Sequence, residues 1–220
     1  MTDPTDRPVD DGTPLADRRA DPKLVSSEVM LRGLIWNVVR DEVELDNGTV
    51  IVREYLRHPG AVGILALDDD DRVAFVRQYR HPVGYELWEL PAGLLDVDGE
   101  PPVRCAQREL AEEADLYAGR WDTLIDWFNS PGGVDEAIRV FLARDLRPVP
   151  EPERHERAEE EALMVSRWVS LDEAHAAVLA GRLNNPTAVV GVLAAHAARA
   201  AGWTTLRPAD APWPEHKAYR

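Results

Sequence analysis

The chain has 220 residues, enough for one large domain or two small ones, and 45% of them are hydrophobic, ample for a buried core. A formal net charge of −15 disfavours a nucleic-acid backbone or an anionic membrane as partner, because neither surface attracts an acidic protein. A single Cys excludes an intramolecular disulfide and a Cys-rich zinc site. The N-terminus has no apolar signal core and no run of ~18 apolar residues spans a bilayer, so a soluble, cytoplasmic protein is expected.

Residues 1–23, "MTDPTDRPVDDGTPLADRRADPK", are rich in Asp, Pro and Arg. They cannot bury enough apolar surface to offset their ordering entropy, which predicts a disordered tail. From Val25 to Tyr55 the pattern is strand-like, and "LIWNVVRDEVEL" and "TVIVREYL" flank the turn signal "DNG". An N-terminal β region over 24–57 follows. "AVGILAL" and "RVAFVRQYR" then read as strands around the solvated turn Asp68–Asp71, and "YELWELPAGLL" as a short strand ending at Pro91, Ala92 and Gly93. From Pro101 to Ala114, Val103, Ala106, Leu110 and Ala114 recur at helical spacing behind a proline suited to a helix's first turn.

"RWDTLIDWF" and "EAIRVFLARDL" read as strands about the turn "NSPGGVDE". The acidic loop "PVPEPERHERAEEEA" leads to the strand "LMVSRWVS". "LDEAHAAVLAGR" is a helix stopped by Gly181, and "NPTAVVGVLAAHAARA" a second one capped by Asn185. Residues 201–220 are rich in Pro and aromatics, and their pattern selects no element. Strands and helices alternate without a regular βαβ rhythm, which predicts one α/β (α+β) domain with mixed sheets.

Glu109, Glu112 and Glu113 share one face of the predicted helix, beside its apolar stripe. The helix can therefore pack on a core while aiming three carboxylates at a cleft. Such oxygens are hard donors that suit Mg²⁺ or Mn²⁺. The competing reading is an ordinary solvated face, since helical Glu clusters are common. Glu100, eight residues before Arg108, is placed to form a charge-assisted pair with it. Cys105 lies on the same helix with no His partner in motif range.

Gly93, Glu100, and "RELAEEADL" from Arg108 to Leu116 resemble the Nudix hydrolase signature, G-x5-E-x7-R-E-U-x-E-E-x-G-U, where U is a bulky aliphatic. Seven of nine fixed positions match from Glu100 onward. Two departures stand out: six residues rather than five separate Gly93 from Glu100, and Asp115 stands where the family has Gly. Asp tolerates a left-handed cap less well than Gly, so a locally altered helix exit is expected. The resemblance implies a Nudix fold over 58–200, with a mixed sheet sandwiched between helices. It implies hydrolysis of a nucleoside diphosphate linked to another moiety. It also implies metal binding by Glu109, Glu112, Glu113 and the Ala92 carbonyl, with Glu100 and Arg108 bracing the catalytic loop and helix.

Further features resemble the ADP-ribose pyrophosphatase subgroup, most closely its actinobacterial versions. Pro131 of "NSPGG" stands sixteen residues beyond Asp115, "VRQYR" precedes "LWELPAGLL", and a β hairpin precedes the main domain. This resemblance implies a homodimer built through the N-terminal β region, with ADP-ribose or a related nucleoside diphosphate sugar as substrate and AMP and ribose 5-phosphate as products. Trp36 and Arg53 would hold the adenine, Arg80 the phosphates or terminal ribose, and Pro131 and Gly132 would lie at the substrate. The general base would be Glu161, with Glu160 and Glu159 as rivals. Alternatives are another nucleoside-diphosphate sugar or a dinucleotide as substrate, or a sensor that binds ADP-ribose without cleaving it.

Overall fold

Three strands, β1 (Lys23–Arg32), β2 (Asn37–Glu44) and β3 (Val50–Arg57), make an antiparallel sheet in that order. The computed structural model describes Gly12, residues 14–157 and residues 163–219. Most of the expected N-terminal tail thus lies outside the described residues, while 14–22 is exposed and without regular structure. The β2–β3 turn is the one that "DNG" signals: Gly48 takes φ +79, and the Thr49 N–H donates to Asn47 Oδ1 at 3.0 Å. The preceding turn was not signalled. Leu34, Ile35 and Trp36, read as the start of a strand, lie between β1 and β2, where the Gly33 N–H donates to the Trp36 carbonyl.

The chain continues through β4 (Ala61–Ala66), β5 (Arg72–Arg80), β6 (Tyr85–Glu89), β7 (Ala92–Leu94), α1 (Pro102–Ala114), β8 (Leu116–Phe128), β9 (Ala137–Pro148), β10 (Val165–Ser170), α2 (Leu171–Leu179), α3 (Pro186–Ala200) and β11 (Arg207–Pro208). A five-stranded sheet has the order β11-β8-β9-β4-β7, with β4 and β9 parallel and the other neighbours antiparallel. A second sheet has the order β10-β5-β6 and is antiparallel throughout.

Side-chain alternation divides the main sheet into two buried faces. Leu65, Val140 and Leu142 pack with Ala188, Val192 and Ala195 of α3, whereas Val62, Ile64, Phe141 and Ala143 pack with Cys105, Ala106 and Leu110 of α1. The mixed sheet is thus sandwiched between helices, as the family resemblance implied. Both later helices start as their sequences dictate: the Ser170 hydroxyl accepts from the Glu173 N–H and Asn185 Oδ1 from the Ala188 N–H.

The C-terminal segment, undecided in the sequence, packs into the body. Trp213 is 1% exposed, and Arg139, itself 2% exposed, stacks its guanidinium 4.7 Å above the indole. Arg139 also holds the Asp126 carboxylate through Nε (2.7 Å) and Nη2 (2.9 Å) and donates to the Ala211 carbonyl. His216 Nε2 lies 2.7 Å from the Pro59 carbonyl, beside Gly60 at φ +92, where a Cβ would strike the imidazole. Finally, the Tyr219 hydroxyl donates to the Glu100 carbonyl at 2.8 Å. This segment covers the back of the loop that leads into α1.

Candidate active site

Pro101 and Pro102 start α1 without a side-chain cap, because a fixed φ near −62 prepares the first turn and a missing N–H costs nothing there. Ala106 and Leu110 are fully buried and Val103 and Ala114 flank them, so the apolar stripe anchors the helix on β4, β7 and β8. Asp115 ends the helix with φ 54 and ψ 38, and its N–H donates to the Leu110 carbonyl. The exit is therefore the ordinary left-handed one, and the expected local alteration is not observed. The energetic cost of αL for a non-glycine residue falls on Asp115 itself.

Arg108 gathers the carboxylates. It donates from Nε to Glu100 Oε1 (3.3 Å), from Nη2 to Glu100 Oε2 (3.2 Å), and from Nη1 to Glu109 Oε1 (2.6 Å) and Glu112 Oε2 (3.1 Å). The hydrogen bond to Glu100, joined by the charge of Glu109, raises the guanidinium pKa further against its desolvation, so this cation is permanent. Glu113 turns the other way. It is 8% exposed, accepting from the Ala92 N–H (2.9 Å) and from Gln78 Nε2 (3.3 Å). The expected charge-assisted pair of Glu100 and Arg108 is present, and Glu109 and Glu112 share its guanidinium while Glu113 does not.

The carboxylates also fit the space around them. A Cβ built on Gly93 would overlap Cγ, Cδ and Oε1 of Glu109, so the absence of a side chain at 93 is what lets that carboxylate lie against β7. Hard oxygen donors on one helix turn, one of them seated on a glycine strand, have the chemistry that Mg²⁺ or Mn²⁺ requires. As they stand, Arg108 bonds two of them, Glu109 and Glu112, through one nitrogen, and no three acidic, His or Cys groups among the described residues converge into a metal cage. Of Ala92, the structure places the N–H on Glu113.

The remaining predicted residues are distributed around this centre. Arg80 meets Glu89 in a two-bond clamp, Nε to Oε1 at 2.9 Å and Nη2 to Oε2 at 2.8 Å; Glu89 is buried, and the Arg80 side chain is 47% exposed. In the antiparallel register Glu89 faces Val76, so both sit on the side of β5 that bears Gln78. Trp36 lies in the turn between β1 and β2 and Arg53 on β3, and these strands are not among the elements that pack substantially against α1; Arg53 donates to the Val52 carbonyl. Pro131 and Gly132 sit exposed in a turn that β3 holds, through Leu56 N–H to Gly133 O and Asp135 N–H to Leu56 O. Glu159, Glu160 and Glu161 lie outside the described residues.

Their flanks are described. Arg157 donates to the Glu112 carbonyl (2.9 Å) and to Asp115 Oδ2 (2.8 Å), and Met164 Sδ lies 3.6 Å from the Gln78 amide that bonds Glu113. Sequence reasoning missed Gln78, Glu89, Arg157 and Met164. The alternation of "VRQYR" put Gln78 on the face of Val76, and Arg157 is a cation in an acidic run, but neither signal names a partner.

A family model described as NUDIX domain matches residues 57–188, well over half of the chain. The chain belongs to the Nudix family. This Nudix protein is 47% identical over 189 residues to an ADP-ribose pyrophosphatase of Mycobacterium tuberculosis, covering 86% of this chain and 89% of the relative. It is 36% identical over 152 residues to an ADP-ribose pyrophosphatase of Bacillus subtilis, covering 69% and 80%. Among solved structures, one titled "Crystal structure of ADP compounds hydrolase" superposes with a TM-score of 0.68 at 20% identity, covering 85% of this chain and 99% of the other, a likeness of fold.

Proposed function

We propose that this Nudix protein hydrolyses the diphosphate bond of ADP-ribose, or of a closely related ADP-sugar, to AMP and ribose 5-phosphate. The observation that carries the reading is the Glu100–Arg108–Glu109–Glu112 network on α1, with Glu113 fixed to β7, in a chain 47% identical to an ADP-ribose pyrophosphatase. Glu109, Glu112 and Glu113, with the Ala92 carbonyl, would hold Mg²⁺ or Mn²⁺. Such an ion, when bound, screens the diphosphate's negative charge and acidifies a water ligand.

The chain's own groups do the rest. Glu161, with Glu159 and Glu160 as rivals, would take the proton from the attacking water. Arg80 would meet the phosphates or terminal ribose, while Pro131 and Gly132 would border the substrate. Trp36 and Arg53 would hold the adenine from a partner's N-terminal region in a homodimer built through residues 24–57. Exposed Leu24, Val25, Met30, Leu31 and Ile35 support that interface. Residues 58–200 would form the catalytic domain, 1–23 and 201–220 its flanks, and the single Cys suits a reducing cytoplasm.

A hydrolysis panel of ADP-ribose, ADP-glucose, NADH and diadenosine polyphosphates, with Mg²⁺ or Mn²⁺, tests the reaction. Preferred cleavage of ADP-ribose is expected, abolished by Glu112→Gln or Glu113→Gln; preference for a non-adenylate overturns the substrate. Light scattering of the chain lacking residues before His58 tests the dimer, and a truncated protein that still dimerises overturns the interface.

A further inference from the structure

We propose that a cavity between α2 and the β10-β5-β6 sheet is a second binding site of this chain, and that it takes a small planar aromatic carboxylate. The site is separate from the α1 centre and independent of the reaction proposed there. Strand alternation puts the two on opposite faces of one sheet. Gln78 reaches Glu113 of α1 on one face. Phe75 and Arg77 therefore look the other way, together with their register partners, Arg167 on β10 and Trp88 on β6.

α2 lies over this second face, and a cavity of about 220 Å³ remains between them, walled by Phe75, Trp88 and Val169 of the sheet and Ala174 and Ala177 of the helix. Phe75 and Ala174 are buried, and Trp88 packs on the same core while part of its indole stays exposed. The Arg77 guanidinium stands 5.4 Å from the centre of the Trp88 ring, a cation–π contact that steadies the indole. Such walls offer a flat aromatic ring both apolar and ring–ring contact, and a saturated ring only the first. The volume is smaller than drug-sized ligands occupy, so it favours one or two rings over a whole nucleotide.

The exposed part of the lining is charged and selects the sign of the ligand. Arg167 Nη2 donates to Glu173 Oε1 at 3.2 Å, so these two offset each other. Arg182 also lines the cavity, and its side chain has no carboxylate partner among the described residues. Its backbone is fixed by the way α2 ends. Gly181 takes φ +68, its N–H donates to the Val178 carbonyl, and the Arg182 N–H donates to the Ala177 carbonyl at 2.9 Å. This is the glycine stop that the sequence signals, and Leu183 beyond it packs on the core. An unneutralised guanidinium beside an apolar cleft attracts anions and repels cations. Its planar fork matches a carboxylate through two parallel bonds.

Titration calorimetry and amide hydrogen exchange on the full chain, without divalent metal and with indole-3-carboxylate as the probe, test the site. One-to-one binding with a Kd of about 0.1–1 mM is expected for a molecule of this size. Tryptamine, the same ring with a cation, should not bind, and cyclohexanecarboxylate should bind about tenfold more weakly. Arg182→Gln, at an exposed position that leaves folding intact, should weaken the probe about tenfold or more. Ala177→Leu should abolish binding by filling the cavity, with a Tm that shows the chain still folded. The probe should slow exchange in peptides of β10 and α2 and leave those of α1 unaltered. No binding at about 5 mM probe, far above the expected Kd, overturns the proposal. So do equal affinities for the probe and tryptamine, unchanged affinity in Arg182→Gln, or protection confined to α1. None of these readouts depends on turnover, so a protein inert towards ADP-ribose that binds the probe as expected overturns the substrate and leaves this site standing.

Discussion

Glu109 rests its carboxylate directly against the backbone of Gly93, in space that any side chain at 93 would occupy. Gly93 is not at a positive φ, so its requirement is room and not conformation. Gly93→Ala should therefore leave β7 paired with β4 while driving Glu109 from its position. Displacing Glu109 from the metal-binding role proposed for it should cost about 10²-fold in turnover, and the stability loss should stay near ~1–2 kcal/mol. Activity and urea unfolding on the same variant check both halves; full activity would show that Glu109 acts elsewhere.

Arg108 carries three carboxylates on one guanidinium, and no Lys can reproduce that geometry. Arg108→Lys should keep the charge but release one or two Glu partners, lowering kcat about tenfold. Arg108→Ala should cost about 1–3 kcal/mol as well, because three partly buried carboxylates lose their counter-charge. Since the bond to Glu100 and the charge of Glu109 hold the guanidinium proton far above any working pH, neither limb of the pH–rate profile should belong to Arg108. Parallel pH profiles of wild type and Arg108→Lys check this.

The helix, its stripe and its Glu spacing were legible because they depend on neighbours within a turn or two. The family signature added Glu100 at a distance of eight residues, and the structure places it there. What was not legible depends on partners far apart in sequence: Gln78 on Glu113 across 35 positions, Arg157 on Asp115 across 42, and Tyr219 on Glu100 across 119. No local periodicity carries such pairs. Asp115 illustrates the difference. The sequence showed a strained cap, and only the fold showed the arginine that uses its carboxylate. Likewise the Pro- and aromatic-rich C-terminus reads as a loose end until Arg139 and Trp213 are seen together.

Cys105 is fully buried on α1, and burial together with the charge of Glu109 pushes its thiol up to about 12 despite the nearby Arg108. It should not react with thiol reagents at pH 8 in the folded protein, while one thiol per chain should appear in denaturant. The folded pKa is raised above the unfolded one, so the associated stability is complete below about pH 9 and is lost as pH rises from there towards about 12. Urea midpoints from pH 7 to 10.5, compared with Cys105→Ala, check the sign: wild type should lose stability above pH 9 more steeply than the variant.

The C-terminal segment should be required for folding stability and, through Glu100, for activity. Truncation after Pro212 removes Trp213, which fills the core behind α1 and covers the Arg139–Asp126 pair. Loss of a buried Trp costs about 3–5 kcal/mol, and the Arg139 guanidinium also loses the indole it stacks on. Tyr219→Phe is the milder probe. It removes one hydroxyl bond to the Glu100 carbonyl, worth about 1 kcal/mol, and leaves the ring stacked on Trp213. Thermal unfolding should fall by many degrees in the truncation and by only a few in Tyr219→Phe, whose kcat should drop further than its stability loss alone explains. A truncated chain with unchanged Tm would mean that the strap contributes nothing to the body it covers.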